Sequence, residues 1–158
     1  MRLTFVKPFA AIPLLVVAFA SPSGTVATAA AEASAKMDPC TLVTTAEARS
    51  ILGVAVVAPV SSDDGLMRHC VYSSADKRNS LMLEAQTQDK AVFEQFMKIH
   101  GNPLPKLGTD AYTNAEAVLV WKNGTQVNVT ISDESGKTSD AQKESAREKA
   151  ASLVLRRL

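Results

Sequence analysis

Residues 117–132 read Ala-Val-Leu-Val-Trp-Lys-Asn-Gly-Thr-Gln-Val-Asn-Val-Thr-Ile-Ser, a β-hairpin spelled out in sequence. Asn123-Gly124 is the preferred pair for a two-residue type I′ turn, because both central positions need positive φ. The turn sets the register: Lys122 opposite Thr125, Trp121 opposite Gln126, Val120 opposite Val127, Leu119 opposite Asn128 and Val118 opposite Val129. Side chains alternate across a strand, so Val118, Val120, Val127, Val129 and Ile131 share one face, the core face. Leu119 and Trp121 fall on the other face, beside Gln126, Asn128 and Thr130.

Upstream, Leu81 to Thr87 alternates in the same way. Leu81, Leu83 and Ala85 lie on one side, Met82, Glu84 and Gln86 on the other, as in a half-buried strand. Val54 to Val60 is β-branched and is expected to be a strand. Ser61-Ser62-Asp63-Asp64-Gly65 has loop composition, and a second strand carries Cys70, Val71 and Tyr72.

Three helices are signalled. Thr44 and Glu47 have capping-box spacing ahead of Ile51 and Leu52, with Gly53 as the stop. Asp89 can cap a helix in which Val92, Phe93, Phe96 and Met97 recur at helical spacing, ending near His100 and Gly101, since Pro103 and Pro105 forbid continuation. A last helix runs from about Ser139 to Leu158, with Ala146, Ala150, Leu153, Val154 and Leu158 as its apolar stripe. Arg156 and Arg157 sit where the helix dipole favours cations; they read as a solvated face in preference to an anion contact. The expected architecture is a single α+β domain, an antiparallel sheet with helices packed on one face.

The chain begins with Arg2 and Lys7 around an apolar run from Phe9 to Phe19, too short to span a bilayer. Residues 1–20 read as a signal peptide, with Ala18-Phe19-Ala20 as a cleavage site and the Ala-rich run to Ala31 as a later one. Residues 21–37 read as a flexible lead-in to a folded domain at 38–158. Export predicts a periplasmic or secreted protein with no membrane span after processing. Without Arg2 and Lys7 the 17 basic residues fall to 15 against 16 acids, a formal net charge of −1 that argues against nucleic acid as a partner.

Cys40 and Cys70 are the only cysteines. An even count downstream of an export signal reads as one structural disulfide. His69, Asp63 and Asp64 lie close to Cys70, but paired Cys or His spacings of a zinc site are missing, and no metal or other cofactor is expected. Adjacent residues on a strand point to opposite faces, which argues against His69 assisting a Cys70 nucleophile. Dinucleotide, phosphate-loop and serine-hydrolase signatures are absent from the sequence.

Asp38-Pro39-Cys40-Thr41-Leu42-Val43-Thr44 before a helix, Cys70-Val71-Tyr72, and Pro105-Lys106-Leu107-Gly108-Thr109-Asp110-Ala111-Tyr112 before a hairpin and a C-terminal helix make a further pattern. Together these segments resemble a bacterial exported-domain family of unknown function, whose members are often cell-envelope lipoproteins. The resemblance implies an α+β domain with an antiparallel sheet and carries over no catalytic residues. This chain has Gly108-Thr109-Asp110 where that family often has Gly-Asp, and lacks a lipobox cysteine.

Two functions from different classes follow. The first is a non-enzymatic binding or interaction domain of the cell envelope, taking a protein or a small apolar ligand on a surface that includes Leu119, Trp121 and Met82. That surface competes with intramolecular cover of Trp121 by a helix or by the lead-in. The second is an enzyme or enzyme inhibitor acting through loops 61–67 and 100–109. Asp110 and Tyr112 could line a pocket, but a turn carboxylate and a packed strand tyrosine explain them more simply.

Overall fold

The computed structural model describes residues 37–158; the expected signal peptide and nearly all of the expected lead-in lie outside the described residues. The domain consists of one seven-stranded antiparallel sheet and three helices. In chain order the elements are α1 (Thr45–Leu52), β1 (Val60–Asp63), β2 (Arg68–Ser73), β3 (Asn79–Thr87) and α2 (Lys90–His100). They continue with β4 (Asn102–Pro103), β5 (Ala111–Thr113), β6 (Ala117–Lys122), β7 (Thr125–Asp133) and α3 (Asp140–Arg157). The strand order is β1-β2-β3-β7-β6-β5-β4. Two meanders, β1–β3 and β4–β7, are therefore joined down the middle by β3 against β7, from Asn79 opposite Asp133 to Thr87 opposite Thr125.

The hairpin has the register that Asn123-Gly124 dictates, all five expected pairs included. Both turn residues have positive φ, 53° at Asn123 and 82° at Gly124, as a type I′ turn requires. On the inner face Val118, Val120, Val127 and Val129 join Leu81, Leu83, Cys70 and Tyr72 in the main core. The capping box of α1 is complete: the Thr44 hydroxyl accepts from the Glu47 N–H, and the Glu47 carboxylate accepts from the Thr44 N–H. Gly53 ends that helix in the left-handed conformation at φ 69°.

Helix α3 covers the inner face with Ala150, Ala151 and Val154, whose small side chains allow close approach to β6 and β7. Arg157 ties its last turn to the first turn of α1. The guanidinium donates to both Glu47 oxygens, at 2.7 and 2.8 Å, and to the Leu42 carbonyl at 2.6 Å. The C-terminal arginine expected to be solvated is therefore a structural clamp.

Cys40 and Cys70 are bridged, with Cα atoms 5.1 Å apart. Beside the bridge the buried Tyr72 hydroxyl donates to the Cys40 and Val43 carbonyls, anchoring the entry segment to β2. Burial pushes the Tyr72 phenol up to about 12.

Three further expectations change. Residues 54–60 do not form a continuous strand: Val56 makes an isolated bridge to Ser74, and pairing resumes only at Val60. Pro59 has no N–H to offer a ladder, so the β-branched run is interrupted where composition suggested continuity. Ser61, Ser62 and Asp63, read as loop, are consequently part of edge strand β1, every residue of which is exposed. Lastly, the helices do not all lie on one face. While α1 and α3 pack on the inner face, α2 packs Phe93 and Met97 on the outer face against Ala117 and Leu119.

Candidate functional site

The outer face of the sheet is of two kinds, and α2 covers one of them. Tyr112, Ala117, Leu119 and Trp121 make an apolar patch on β5 and β6, which requires cover, and Phe93 and Met97 supply it. Phe93 and the Tyr112 ring meet edge to face, centroids 5.6 Å apart. Leu119 is 5% exposed and so belongs to a second small core. Trp121 is half-buried: its indole N–H donates to the Gln88 carbonyl at 2.7 Å, and the Lys90 ammonium stands 5.4 Å from the ring centroid. Lys90 is held in turn by Asp110 at 3.2 Å. Of the two alternatives for the tryptophan face, cover by a helix is the one present at these two residues.

Next to this patch the outer face of β3 and β7 is polar and only partly covered: Met82, Glu84, Gln86, Asn128 and Thr130 are half-buried, and Gln126 is buried. Glu84 faces Asn128, Gln86 faces Gln126, and Met82 faces Thr130 across the ladder. Gln126 Nε2 donates to Asn128 Oδ1 at 2.8 Å, which fixes both amides. Met82, the third residue expected on a functional surface, lies in this region. A groove of about 520 Å³ runs here, floored by these strand residues. Val92 and Phe96 of α2 wall one side, while Met67 and the β5–β6 turn residues Asn114 and Glu116 complete the lining.

The helix wall has a specific origin. The apolar stripe of α2 is wider than the sheet beneath it, so Phe93 and Met97 are buried while Val92, Phe96 and Ile99 are 54%, 49% and 72% exposed. Phe96 is also steadied by His100, ring centroids 4.6 Å apart.

At the far end the β1–β2 turn carries the carboxylates singled out in the sequence. Asp64 accepts from the N–H groups of Met67 and Leu66, which with His69 hold its carboxyl down to about 2. Asp63 accepts from the Gly65 N–H and pairs with Arg68 at 2.9 Å, and both lower its pKa. His69 lies between Asp64 Oδ2 at 3.2 Å and Glu84 Oε1 at 3.4 Å. Among the described residues no group of His, Cys, Asp and Glu is arranged to hold a metal ion, and no helix is long and apolar enough to cross a membrane. The other loop considered, 100–109, is taken up by β4 and a 3-10 turn at Pro105–Leu107.

Sequence reading missed the groove itself and the burial of Arg147. Arg147 shares the i, i+3, i+4, i+7 spacing of Ala150, Ala151 and Val154, the signal that could have exposed it. It is 7% exposed, and its Nη1 donates to the Ala115 carbonyl at 3.1 Å, propping the β5–β6 turn. Comparison with protein-family models, curated proteins and solved structures finds no match to this chain.

Proposed function

We propose that this chain is an exported, non-enzymatic binding domain of the bacterial cell envelope, periplasmic or secreted, whose ligand seats in the groove between α2 and the outer face of β3 and β7. The observation that carries the reading is the groove's construction. Its volume of about 520 Å³ lies within the range of small-ligand sites, and its polar groups stand on the paired strands of a sheet. A rigid polar floor beside exposed apolar side chains suits recognition, since little ordering is required on binding. Export is supported by the leader and by the Cys40–Cys70 bridge, which persists in an oxidising compartment.

The test is a thermal-shift screen of envelope-derived small molecules and short peptides against the mature protein and a Thr130→Trp variant that fills the groove. Ligands that stabilise the wild type and not the filled variant are expected. Hits indifferent to Thr130→Trp, or no hits at all, would refute the groove as the site. Cell fractionation followed by N-terminal sequencing tests export: an unprocessed chain in the cytoplasm would refute it.

A further inference from the structure

We infer that the groove takes an extended peptide segment in which a basic side chain is flanked by apolar ones. The inference rests on the binding reading above and adds the chemistry of the ligand. Charge is the first argument. The ionisable residues lining the groove are Glu84 and Glu116, and no lysine, arginine or histidine lines it. Among the described residues the Glu116 carboxylate has no hydrogen-bond or ion-pair partner, and Glu84 has only the imidazole of His69. Both favour a cation in the groove and disfavour an anion.

Spacing is the second argument. Glu84 and Gln86 on β3, and Gln126 and Asn128 on β7, repeat every second residue, about 7 Å apart. An extended peptide laid along the strands has the same repeat. The half-buried Gln86 amide and the Asn128 Nδ2, which the Gln126–Asn128 bond leaves unused, can therefore bond to successive peptide units, a match that a hydrocarbon chain does not offer. The apolar side chains of such a segment would meet Val92 and Phe96 on one wall and Met82 at the floor. A floor three alternate residues long, Met82 to Gln86, spans about 14 Å, the reach of about four extended residues.

The test uses the mature protein and three fluorescein-labelled hexapeptides of alternating sequence: leucine with lysine, leucine with glutamate, and leucine with serine. Fluorescence anisotropy should rank lysine first, with the glutamate peptide at least tenfold weaker. Glu84→Gln should weaken the lysine peptide about tenfold and Glu116→Gln about threefold, the smaller effect reflecting an exposed carboxylate. Neither should change the serine peptide, and unchanged urea midpoints would show that both variants fold. Phe96→Ala should weaken the lysine and serine peptides alike. Equal binding of the three peptides, or indifference of the lysine peptide to both glutamine variants, would overturn the inference while leaving the groove a binding site. No binding by any peptide, together with ligands from the thermal-shift screen that Thr130→Trp abolishes, would also overturn it and leave the proposed function standing. Loss of both would remove the function as well.

Discussion

Removing the Cys40–Cys70 bridge tests how this small domain is held together. The cysteines are 30 residues apart in sequence, so the bridge closes a loop of about 31 residues in the unfolded chain, worth about 3.7 kcal/mol in the chain-entropy model. A Cys40→Ala/Cys70→Ala variant also loses sulfur from the fully buried Cys70 position, which raises the expected cost to about 4 kcal/mol. For a domain of this size that is a large part of the total stability and corresponds to a fall in melting temperature of roughly 15 °C. The native fold should nevertheless survive. The Tyr72 hydroxyl still reaches the Cys40 and Val43 carbonyls, and Arg157 still reaches Leu42 and Glu47, so the entry segment and the start of α1 keep four non-covalent ties. Urea unfolding followed by far-UV circular dichroism measures the effect. The midpoint should drop while the slope rises, because an uncrosslinked unfolded chain exposes more surface. A loss below about 1 kcal/mol, or two reactive thiols in the native protein, would refute the reasoning.

The Glu47–Arg157 clamp makes stability depend on pH. The Arg157 guanidinium, then the Thr44 N–H, lower the Glu47 carboxyl from 4.5 to about 2, so its contribution is present above the unfolded value and is lost as pH falls from about 4.5 towards about 2. Discounted for solvent screening, Glu47→Gln should cost about 1 kcal/mol at pH 7, and the gap from wild type in urea midpoint should close across that window; a gap independent of pH would count against the clamp. Two glycines should fail for different reasons. Gly124→Ala meets open space but must hold φ 82°, a cost of about 1 kcal/mol, whereas Gly101→Ala has an ordinary φ and meets Met97 Sδ and Tyr112 Cβ at 3.1 Å, costing about 1–3 kcal/mol. A wild-type melting temperature for either variant would contradict this. Trp121→Phe loses the bond to Gln88 and weakens the Lys90 contact, about 1–2 kcal/mol in all; native Trp121 emission at the unfolded wavelength would show that α2 does not cover the ring.

Local chemistry made much of the domain legible. Asn123-Gly124 sets a register because few residue pairs accept two consecutive positive φ angles, and Thr44 with Glu47 marks a helix start because both satisfy backbone N–H groups that a helix leaves open. The alternation of Leu81, Leu83 and Ala85 with Met82, Glu84 and Gln86 gave strand and inner face together, and the paired cysteines gave the bridge. Propensity alone misled at Val54 to Val60, where Pro59 interrupts the pairing.

Long-range packing decided the rest. Nothing local says that β3 pairs with β7 across 37 intervening residues, and that one ladder joins the two meanders into a single sheet. The four-residue stripe of α2 announces an amphipathic helix but not which half of it the sheet will meet. The sequence by itself determined a disulfide-stapled α+β domain and an outer sheet face carrying Leu119, Trp121 and Met82. Only the tertiary structure decided that α2 covers Leu119 and Trp121 and leaves Met82 in the groove. The physical reason is that the apolar part of the outer face gains from burial, whereas the half-buried Glu84, Gln86 and Asn128 lose hydration if a helix lies on them. The groove is the boundary between those two outcomes.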